Sequence, residues 1–168
     1  MRNTRAMPII LRDEPDGGIL YDPAEATLIE LDRDAFELAL RVFHRRETAA
    51  GPEAAAMARQ LQSMIAWSPK RRTRRVKAAG DFRPDVDFRV FAAPTLVDFQ
   101  ITGNCRMQCP HCYANAVPDG AHVPLEDVEL VIRQCRDSGV CQLALGGGEP
   151  LSHPHIREIL ALCREAGV

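Results

Sequence analysis

Three cysteines, Cys105, Cys109 and Cys112, are the residues whose spacing points most clearly to chemistry. Thiolates at C-x3-C-x2-C spacing can bind zinc or an iron–sulfur cluster, but structural metal sites and electron-carrier clusters generally use four protein ligands. Three protein ligands leave one metal position open to another molecule. The spacing therefore predicts a reactive metal centre.

A glycine-rich stretch, Gly146-Gly147-Gly148-Glu149-Pro150, is the second segment with a chemical signature. Consecutive glycines remove side chains, so a ligand can approach the backbone, and the glutamate carboxylate could bind an amine or a hydroxyl. The stretch lacks the Lys-Ser/Thr ending of a phosphate-binding P-loop, and by itself a flexible turn explains it equally well. It becomes a candidate binding wall only if the fold brings it to the cysteines.

The elements that must position these two loops begin at about residue 88. Strand-like runs at 94–102 and 140–145 alternate with helical patterns at 124–138 and from about residue 154. Such alternation predicts an α/β fold with parallel βα units. Loops that follow parallel strands gather on one face, so we expect the cysteine loop and the glycine loop to be neighbours.

The first part of the chain, up to about residue 67, mixes strands and helices. Short β-rich runs with turn residues between them predict a three-stranded meander over 8–11, 19–21 and 27–31, with turns at Asp16-Gly17-Gly18 and Asp22-Pro23.

Two helices are expected after this meander. Asp32 is placed to cap the first, and apolar residues then recur at helical spacing up to Phe43. Gly51-Pro52 predicts the start of the second, over 54–67. Four apolar residues of the second helix form a stripe that we expect in the core: Met57, Leu61, Met64 and Ile65.

Between these parts lies a basic segment, 68–87, which we interpret as a mobile linker. The domains expected are therefore a small α+β domain (1–67), a flexible linker (68–87) and an α/β part (88–168). A basic segment could also contact nucleic acid, but no aromatic residue interleaves its cations, so we do not expect nucleic acid as a partner. Its cations are Lys70, Arg71, Arg72, Arg74, Arg75 and Lys77.

Composition points to a cytoplasmic protein without a membrane partner. The formal net charge is −2, and no apolar run is long enough for a signal peptide or a membrane span. The remaining cysteines, Cys135, Cys141 and Cys163, occur singly in apolar patterns, which is typical of free thiols in a reducing compartment.

Together the two loops resemble those of the radical S-adenosylmethionine (radical SAM) enzymes, over about residues 94–168. The resemblance implies the start of a (β/α) barrel, of which two βα units are present, and a 4Fe-4S cluster whose fourth iron is chelated by the amino and carboxylate groups of S-adenosylmethionine. It also implies reductive cleavage of that cofactor to a 5′-deoxyadenosyl radical. The electron would come from a donor such as a flavodoxin or ferredoxin.

The same resemblance assigns the site residues. Cys105, Cys109 and Cys112 would be the cluster ligands, and Gly147, Gly148 and Glu149 would border the methionine moiety. His111 stands where the family often has an aromatic residue whose backbone touches the adenine. No side chain is assigned as a catalytic group. Four residues are left outside the site as loop or cap residues: Tyr113, His122, His153 and His155.

A second resemblance concerns the N-terminal domain, whose order of strands and helices is similar to the small peptide chaperone of the pyrroloquinoline-quinone pathway (PqqD-like). In that family a leader peptide adds as a strand to the sheet edge. The resemblance implies a peptide substrate and peptide maturation. The alternative is an accessory domain with no peptide partner.

Two further functions stay open. One is a radical SAM enzyme of small-molecule cofactor biosynthesis, and the other is a non-catalytic iron–sulfur or zinc module with Cys141 or His111 as fourth ligand. Because a radical SAM barrel usually has about six βα units, we also expect this chain to be a fragment of a longer protein and to be inactive alone.

Overall fold

The computed structural model describes residues 7–77 and 91–168, and the chain divides into two compact units, Met1–Ala93 and Pro94–Val168. None of the described helices is long and apolar enough to cross a membrane. Each unit has its own buried apolar cluster.

The first unit begins with the expected three-stranded antiparallel meander. Its strands are β1 (Ile9–Glu14), β2 (Gly17–Asp22) and β3 (Thr27–Asp32). The predicted turn at Asp16-Gly17-Gly18 is wrong in part, because both glycines lie inside β2. A Cβ at Gly18 would come within 2.1 Å of the Phe36 ring, so close packing explains that glycine.

The helices of the first unit follow the meander. Asp32 caps α1 (Arg33–Ala39), as predicted, with Oδ1 accepting a 2.8 Å hydrogen bond from the Ala35 N–H. The helix continues as a π-helical turn, Leu40–His44. The second helix, α2 (Pro52–Ser63), starts at the predicted proline but ends earlier than predicted.

The apolar stripe of α2 differs from the prediction. Leu61 and Ile65 are buried with Ala58, whereas Met57 and Met64 are 43% and 45% exposed. The buried positions follow an i, i+3, i+7 course along the helix and the turn after it, and the two methionines lie beside that course. The core cluster that α2 joins also contains Ile9, Leu11, Leu20, Leu31, Phe36, Leu38, Leu40 and Phe43.

The prediction of a linker over 68–87 is wrong for Thr73–Lys77, which form strand β4. This strand pairs parallel with β1, giving the sheet order β3-β2-β1-β4. A basic segment can form a strand here because β4 has one neighbour only in the described sheet, and charged side chains are typical of edge strands. Arg75 bonds Asp13 of β1 at 2.8 Å. Residues 78–87 of the predicted linker lie outside the described part of the chain.

A buried ion pair fixes this basic segment to the meander. The Arg71 guanidinium donates two hydrogen bonds to the Asp22 carboxylate, one of them 2.7 Å from Nη1 to Oδ2. The side chains are only 3% and 0% exposed. Arg71 also donates to the carbonyl oxygens of Met7 and Ala66, so one side chain joins β2, the end of the helical region and the start of β1.

The second unit consists of two βα repeats, as predicted: β5 (Leu96–Thr102), α3 (Leu125–Ser138), β6 (Gln142–Gly147) and α4 (Ile156–Ala166). β5 and β6 pair in parallel. Gly139, with φ 76°, ends α3 in the left-handed conformation.

Only one face of this two-stranded sheet is covered by α3 and α4. Ile101 is fully buried with Ile132 and Ile159, and Phe99, Leu143 and Leu145 pack beside them. The alternate residues Leu96, Asp98 and Gln100 of β5 are exposed on the other face, although the largely apolar sequence of this strand predicts that most of it is buried. Leu160 of α4, which helical spacing predicts to point inward with Ile156 and Ile159, is 52% exposed.

Candidate functional site

The cysteine loop after β5 and the glycine loop after β6 meet at the carboxyl ends of their strands, as the sequence predicts. The Gly148 N–H donates to the Thr102 carbonyl at 2.7 Å, and the Glu149 N–H donates to the Asn104 carbonyl at 2.7 Å. The backbone of Glu149 is therefore held by the backbone of Asn104, the residue directly before Cys105.

Two glycines make this contact possible. A Cβ at Gly147 would lie 2.1 Å from the Thr102 carbonyl oxygen, and a Cβ at Gly148 would lie 2.2 Å from the Asn104 carbonyl oxygen. Gly147 also has φ 109°, which other residues rarely adopt. Both loops can approach each other only because these positions lack side chains.

The cysteine loop is fastened at its two ends. The Cys105 N–H donates to the Val117 carbonyl at 2.9 Å, and the Val117 N–H donates to the Gly103 carbonyl at 3.0 Å. Between these ends, Cys112 and Asn115 make only local turn bonds, of 3.1 and 3.3 Å. The segment that carries the second and third cysteines therefore depends on turns and not on the sheet.

The three thiols are not gathered around one point in the described part of the chain. Cys105 and Cys112 are half-buried and Cys109 is exposed. Within residues 7–77 and 91–168, no three His, Cys, Asp or Glu side chains converge closely enough to hold a metal ion. Cys109 and Cys112 line an open cavity of about 500 Å³ together with Gln108, Pro110, Asn115, Ala116, Val117 and Pro118.

These residues nevertheless fit an iron–sulfur cluster by their chemistry. Thiolates are the protein ligands of such clusters, and the cavity beside two of the cysteines is open to solvent. The Met107 N–H donates to Cys105 Sγ at 3.5 Å.

Glu149 and His111 are both exposed at this site. The Glu149 carboxylate accepts a 3.0 Å bond from the Leu151 N–H through Oε1, capping the short 3-10 turn Pro150–Ser152. Because Glu149 is exposed, its carboxylate can also accept a bond from a ligand. His111 belongs to the cysteine loop, and no contact among the described residues fixes its ring.

Sequence reasoning missed a set of side chains beneath the two loops. Thr102 is 2% exposed, and its Oγ1 bonds His122 Nδ1 at 2.8 Å. His153, also 2% exposed, bonds the Val123 carbonyl through Nε2 at 2.9 Å. Thr102 could have been singled out from the sequence, because it is the last strand residue before the cysteine loop. Nothing in the sequence indicates that His122 and His153 lie together beneath the loops.

The exposed face of β5 also reaches this region. A Cβ placed on Gly146 would lie 2.9 Å from Asp98 Oδ1 and 4.0 Å from the Tyr113 hydroxyl. The first glycine of the loop thus leaves space that the Asp98 carboxylate uses. Tyr113, which the sequence analysis left outside the site, has its hydroxyl close to Gly146 of the glycine loop.

Cys141 does not join the cysteine loop. Its N–H donates to the Thr95 carbonyl at 3.2 Å, which places it just before β6 and beside the start of β5. The three cysteines follow the other end of β5. The alternative in which Cys141 supplies a fourth metal ligand is therefore wrong for this structure.

Comparison with known proteins agrees with this geometry. A sequence profile described as the Radical SAM superfamily matches residues 99–167, the span that holds both loops.

Several curated proteins are similar to this part of the chain. The antilisterial bacteriocin subtilosin biosynthesis protein AlbA of Bacillus subtilis is 32% identical over 71 residues, which are 42% of this chain and 16% of AlbA. The AdoMet-dependent heme synthase of Methanosarcina barkeri is 32% identical over 79 residues, 45% of this chain and 22% of that protein. The PqqA peptide cyclase of Streptomyces rochei is 30% identical over 77 residues, 45% of this chain and 21% of the cyclase.

A solved structure shares the fold over nearly the whole chain. Streptococcus suis SuiB, bound to its precursor peptide SuiA, superposes with a TM-score of 0.55 at 22% identity, covering 95% of this chain and 39% of SuiB. SuiB bound to S-adenosylmethionine gives the same TM-score at 20% identity. This likeness confirms the predicted fold class.

The chain spans between 16% and 22% of the length of the curated relatives named above. The matched region is the one in which the cysteine and glycine loops meet. Residues 99–167 are therefore similar to the radical SAM superfamily.

Proposed function

We propose that the full-length protein is a radical SAM enzyme that modifies a peptide during its maturation. The observation that carries this proposal is the direct bonding of the glycine loop to the base of the cysteine loop, through Gly148 to Thr102 and Glu149 to Asn104. It holds an exposed glutamate at the residue that directly precedes Cys105, the first of the three cysteines.

In this proposal Cys105, Cys109 and Cys112 hold a 4Fe-4S cluster. The cluster and S-adenosylmethionine supply one-electron cleavage to a 5′-deoxyadenosyl radical when bound. Glu149 and the bare backbone of Gly147 and Gly148 orient the methionine end of the cofactor.

His111 is proposed to border the adenine through its backbone. The reductant is proposed to be a flavodoxin or ferredoxin type of donor, and the setting a reducing cytoplasm. The free state of all six cysteines supports that setting.

The peptide substrate is proposed from two observations. Two of the relatives are named for a bacteriocin and a peptide cyclase, and the structure of SuiB with a precursor peptide superposes over 95% of this chain, a span that includes the first unit. We propose that the first unit is PqqD-like and that a leader peptide pairs with the edge strand β3, where Leu28 is 38% exposed.

Anaerobic reconstitution of the full-length protein tests the cluster. Cys109→Ala should abolish cluster binding, measured as iron and sulfide content and by the electron paramagnetic resonance (EPR) signal of the reduced protein. Cys163→Ala, which removes a buried thiol of α4, is the matched control and should retain the cluster. Glu149→Ala should keep the cluster and weaken S-adenosylmethionine binding.

Other outcomes would contradict the cluster proposal. Loss of the cluster in Glu149→Ala to the same degree as in Cys109→Ala would refute the separate roles of the two loops. Stoichiometric zinc in a colourless protein would favour the non-catalytic module instead.

Titration with candidate leader peptides tests the peptide proposal. Leu28→Glu in the full-length protein should weaken peptide binding, because it places a charge on the edge strand. Leu130→Glu on α3 alters a leucine of similar exposure (45% against 38%) and should not weaken it.

A second candidate is a radical SAM enzyme for a small-molecule cofactor, favoured by the similarity to the heme synthase. Cluster-dependent cleavage of S-adenosylmethionine without peptide binding would favour it.

A further inference from the structure

Thr102 is shared by the two loops of the site. Its carbonyl oxygen accepts the Gly148 N–H at 2.7 Å, and its side-chain Oγ1 accepts the Asn104 N–H at 2.9 Å. Asn104 in turn accepts the Glu149 N–H on its own carbonyl. One residue therefore bonds the glycine loop with its backbone and the cysteine loop with its side chain.

We infer that the Thr102 hydroxyl, held by His122, is a positioning group that sets Glu149 relative to Cys105. The inference rests on the proposed function, because the two loops matter to each other only if they bind one cofactor. Thr102 does not touch the cofactor in this inference; it acts through Asn104.

The hydroxyl has a defined set of partners. Oγ1 is 2.8 Å from His122 Nδ1 and accepts a hydrogen bond from the Asn104 N–H. The hydroxyl hydrogen is then directed at Nδ1 and a lone pair at the Asn104 N–H, so the hydroxyl acts as both donor and acceptor. Because Thr102 is only 2% exposed, water cannot easily replace either partner.

His122 is itself held in place. Its ring contacts the His153 ring edge to face, with centroids 5.1 Å apart. His153 accepts the His155 N–H on Nδ1 at 3.1 Å, so its proton is on Nε2, from which it donates to the Val123 carbonyl. A backbone bond of 2.9 Å from Val123 to Ile101 ties this segment to β5.

The consequence of losing Oγ1 follows from this arrangement. The Asn104 N–H would lose its acceptor in a half-buried position. Asn104 would then be held by its side-chain bond to the Pro118 carbonyl and by the Cys105 N–H bond to Val117, so its carbonyl, which receives the Glu149 N–H, would be positioned less tightly. Pairing of β5 with β6 does not use Oγ1, so the sheet should survive.

Thr102→Val tests the inference in the reconstituted full-length protein, because valine keeps the branched shape and removes the oxygen. We expect unchanged iron and sulfide content, a modestly lower thermal transition because two partners of the buried hydroxyl lose their bond, and a loss of about tenfold in affinity for S-adenosylmethionine. The affinity is read from the change in the EPR signal of the reduced cluster on titration. Thr102→Ser should restore it to within about twofold.

Thr95→Val is the matched control. Thr95 uses its carbonyl to accept the N–H groups of Cys141 and Gln142, and its hydroxyl bonds no residue in the described ranges. This variant should bind the cofactor as the wild type does. Equal affinity in Thr102→Val and the wild type would overturn the inference.

A pair of variants at His122 tests the same group if Thr102→Val fails to fold or loses the cluster. Asparagine can place a polar atom near the position of Nδ1, whereas leucine cannot. His122→Leu should weaken cofactor binding with the cluster retained, and His122→Asn should restore it. Cluster loss in His122→Leu, or equal affinity in both, would show a structural role or none and would overturn the inference.

Failure of the proposed function is distinguishable from failure of this inference. If S-adenosylmethionine leaves the EPR signal of the wild-type protein unchanged, the proposed function fails before any variant is compared.

Discussion

At the scale of single residues, the absence of side chains matters as much as their chemistry. Positions 147 and 148 bring two backbones within hydrogen-bond distance, and at both the space for a Cβ is already taken by a carbonyl oxygen of the other loop. Gly146 differs, because its missing side chain leaves space for a movable carboxylate, that of Asp98. The three glycines are therefore not equivalent.

Gly148→Ala should weaken binding of S-adenosylmethionine strongly while Gly146→Ala weakens it little. An alanine Cβ at 148 would meet the Asn104 backbone at 2.2 Å, and relief of such a clash by backbone movement typically costs about 1–3 kcal/mol. At 146 the Asp98 side chain can rotate away. Isothermal titration of the reconstituted full-length protein checks the order, and equal losses in the two variants would contradict it.

The six cysteines also divide into two groups by burial. Burial raises the pKa of the Cys135 thiol, and burial followed by the neighbouring Cys135 raises the pKa of Cys163. Raised values keep these thiols protonated and unreactive near neutral pH, since the thiolate is the nucleophile.

Alkylation of the cluster-free protein by iodoacetamide at pH 7.5 should therefore modify Cys109 first, because it is exposed, and Cys135 and Cys163 last. Peptide mass spectrometry over time gives the order. Urea should abolish the difference, and rapid modification of Cys163 in the native protein would contradict the assigned burial.

At the scale of elements, the position of β4 depends on a side-chain ion pair as well as on its backbone pairing with β1. The Asp22–Arg71 pair joins the end of β2 to the segment that leads into β4. Burial alone would raise the pKa of Asp22, but hydrogen bonds from Arg71, Ala66 and Ala24 and the charge of Arg71 together lower it. The folded state therefore favours the ionised carboxylate more than the unfolded state does.

Asp22→Asn should lower the stability of the first unit by about 3–5 kcal/mol at pH 7, because it leaves the Arg71 charge buried without a counter-ion. In the wild type, the stabilisation from Asp22 is present above the pKa of the unfolded chain and disappears as the pH falls through the lower pKa of the folded state. Urea unfolding between pH 7 and pH 3, followed by the fluorescence of Trp67, measures both effects.

Asp13→Asn is the control for this prediction. Asp13 pairs with Arg33 and Arg75, whose side chains are 43% and 44% exposed, so its loss should cost about 1 kcal/mol or less. A loss of stability as large as that caused by Asp22→Asn would contradict the conclusion that burial makes the Asp22–Arg71 pair more important than the exposed pairs of Asp13. Trp67 suits the measurement because it is the only tryptophan of this sequence and packs on the core of the first unit.

Residue types and spacing predicted most helices and strands, but they predicted less well how these elements pair and which side chains they bury. The Asp32 cap, the Gly139 helix end and the alternation of β5, α3, β6 and α4 follow from residue types and spacing. The strand β4 could not be predicted, because charge dominated a segment whose pairing depends on a partner far away in the sequence. Exposure of Met57 and Leu160 depends on how the helices pack, which spacing alone does not specify.

The candidate site was predictable in the same partial way. The cysteines and the glycine loop carry recognisable spacing, and parallel strands bring them to one edge. Thr102, His122 and His153 were not found, because their bonds connect positions 20 to 30 residues apart through backbone groups that leave no pattern in the sequence.

At the scale of the whole molecule, the two units differ in the kind of similarity that relates them to known proteins. The family match covers residues 99–167 and thus the second unit, whereas the fold likeness to SuiB extends over 95% of the chain. Sequence similarity therefore relates the second unit to the radical SAM superfamily, and similarity of fold relates the first unit to SuiB.

The parallel pairing of β1 with β4 sets the order in which the first unit can form during synthesis. Ile9 pairs with Thr73, 64 positions later, whereas β1, β2 and β3 pair with immediate neighbours along the chain. Because distant contacts form slowly and a ribosome releases the N-terminus first, the hairpins can assemble early. The sheet is completed only when residue 77 has emerged, and until then the edge of β1 is exposed to pairing with other strands.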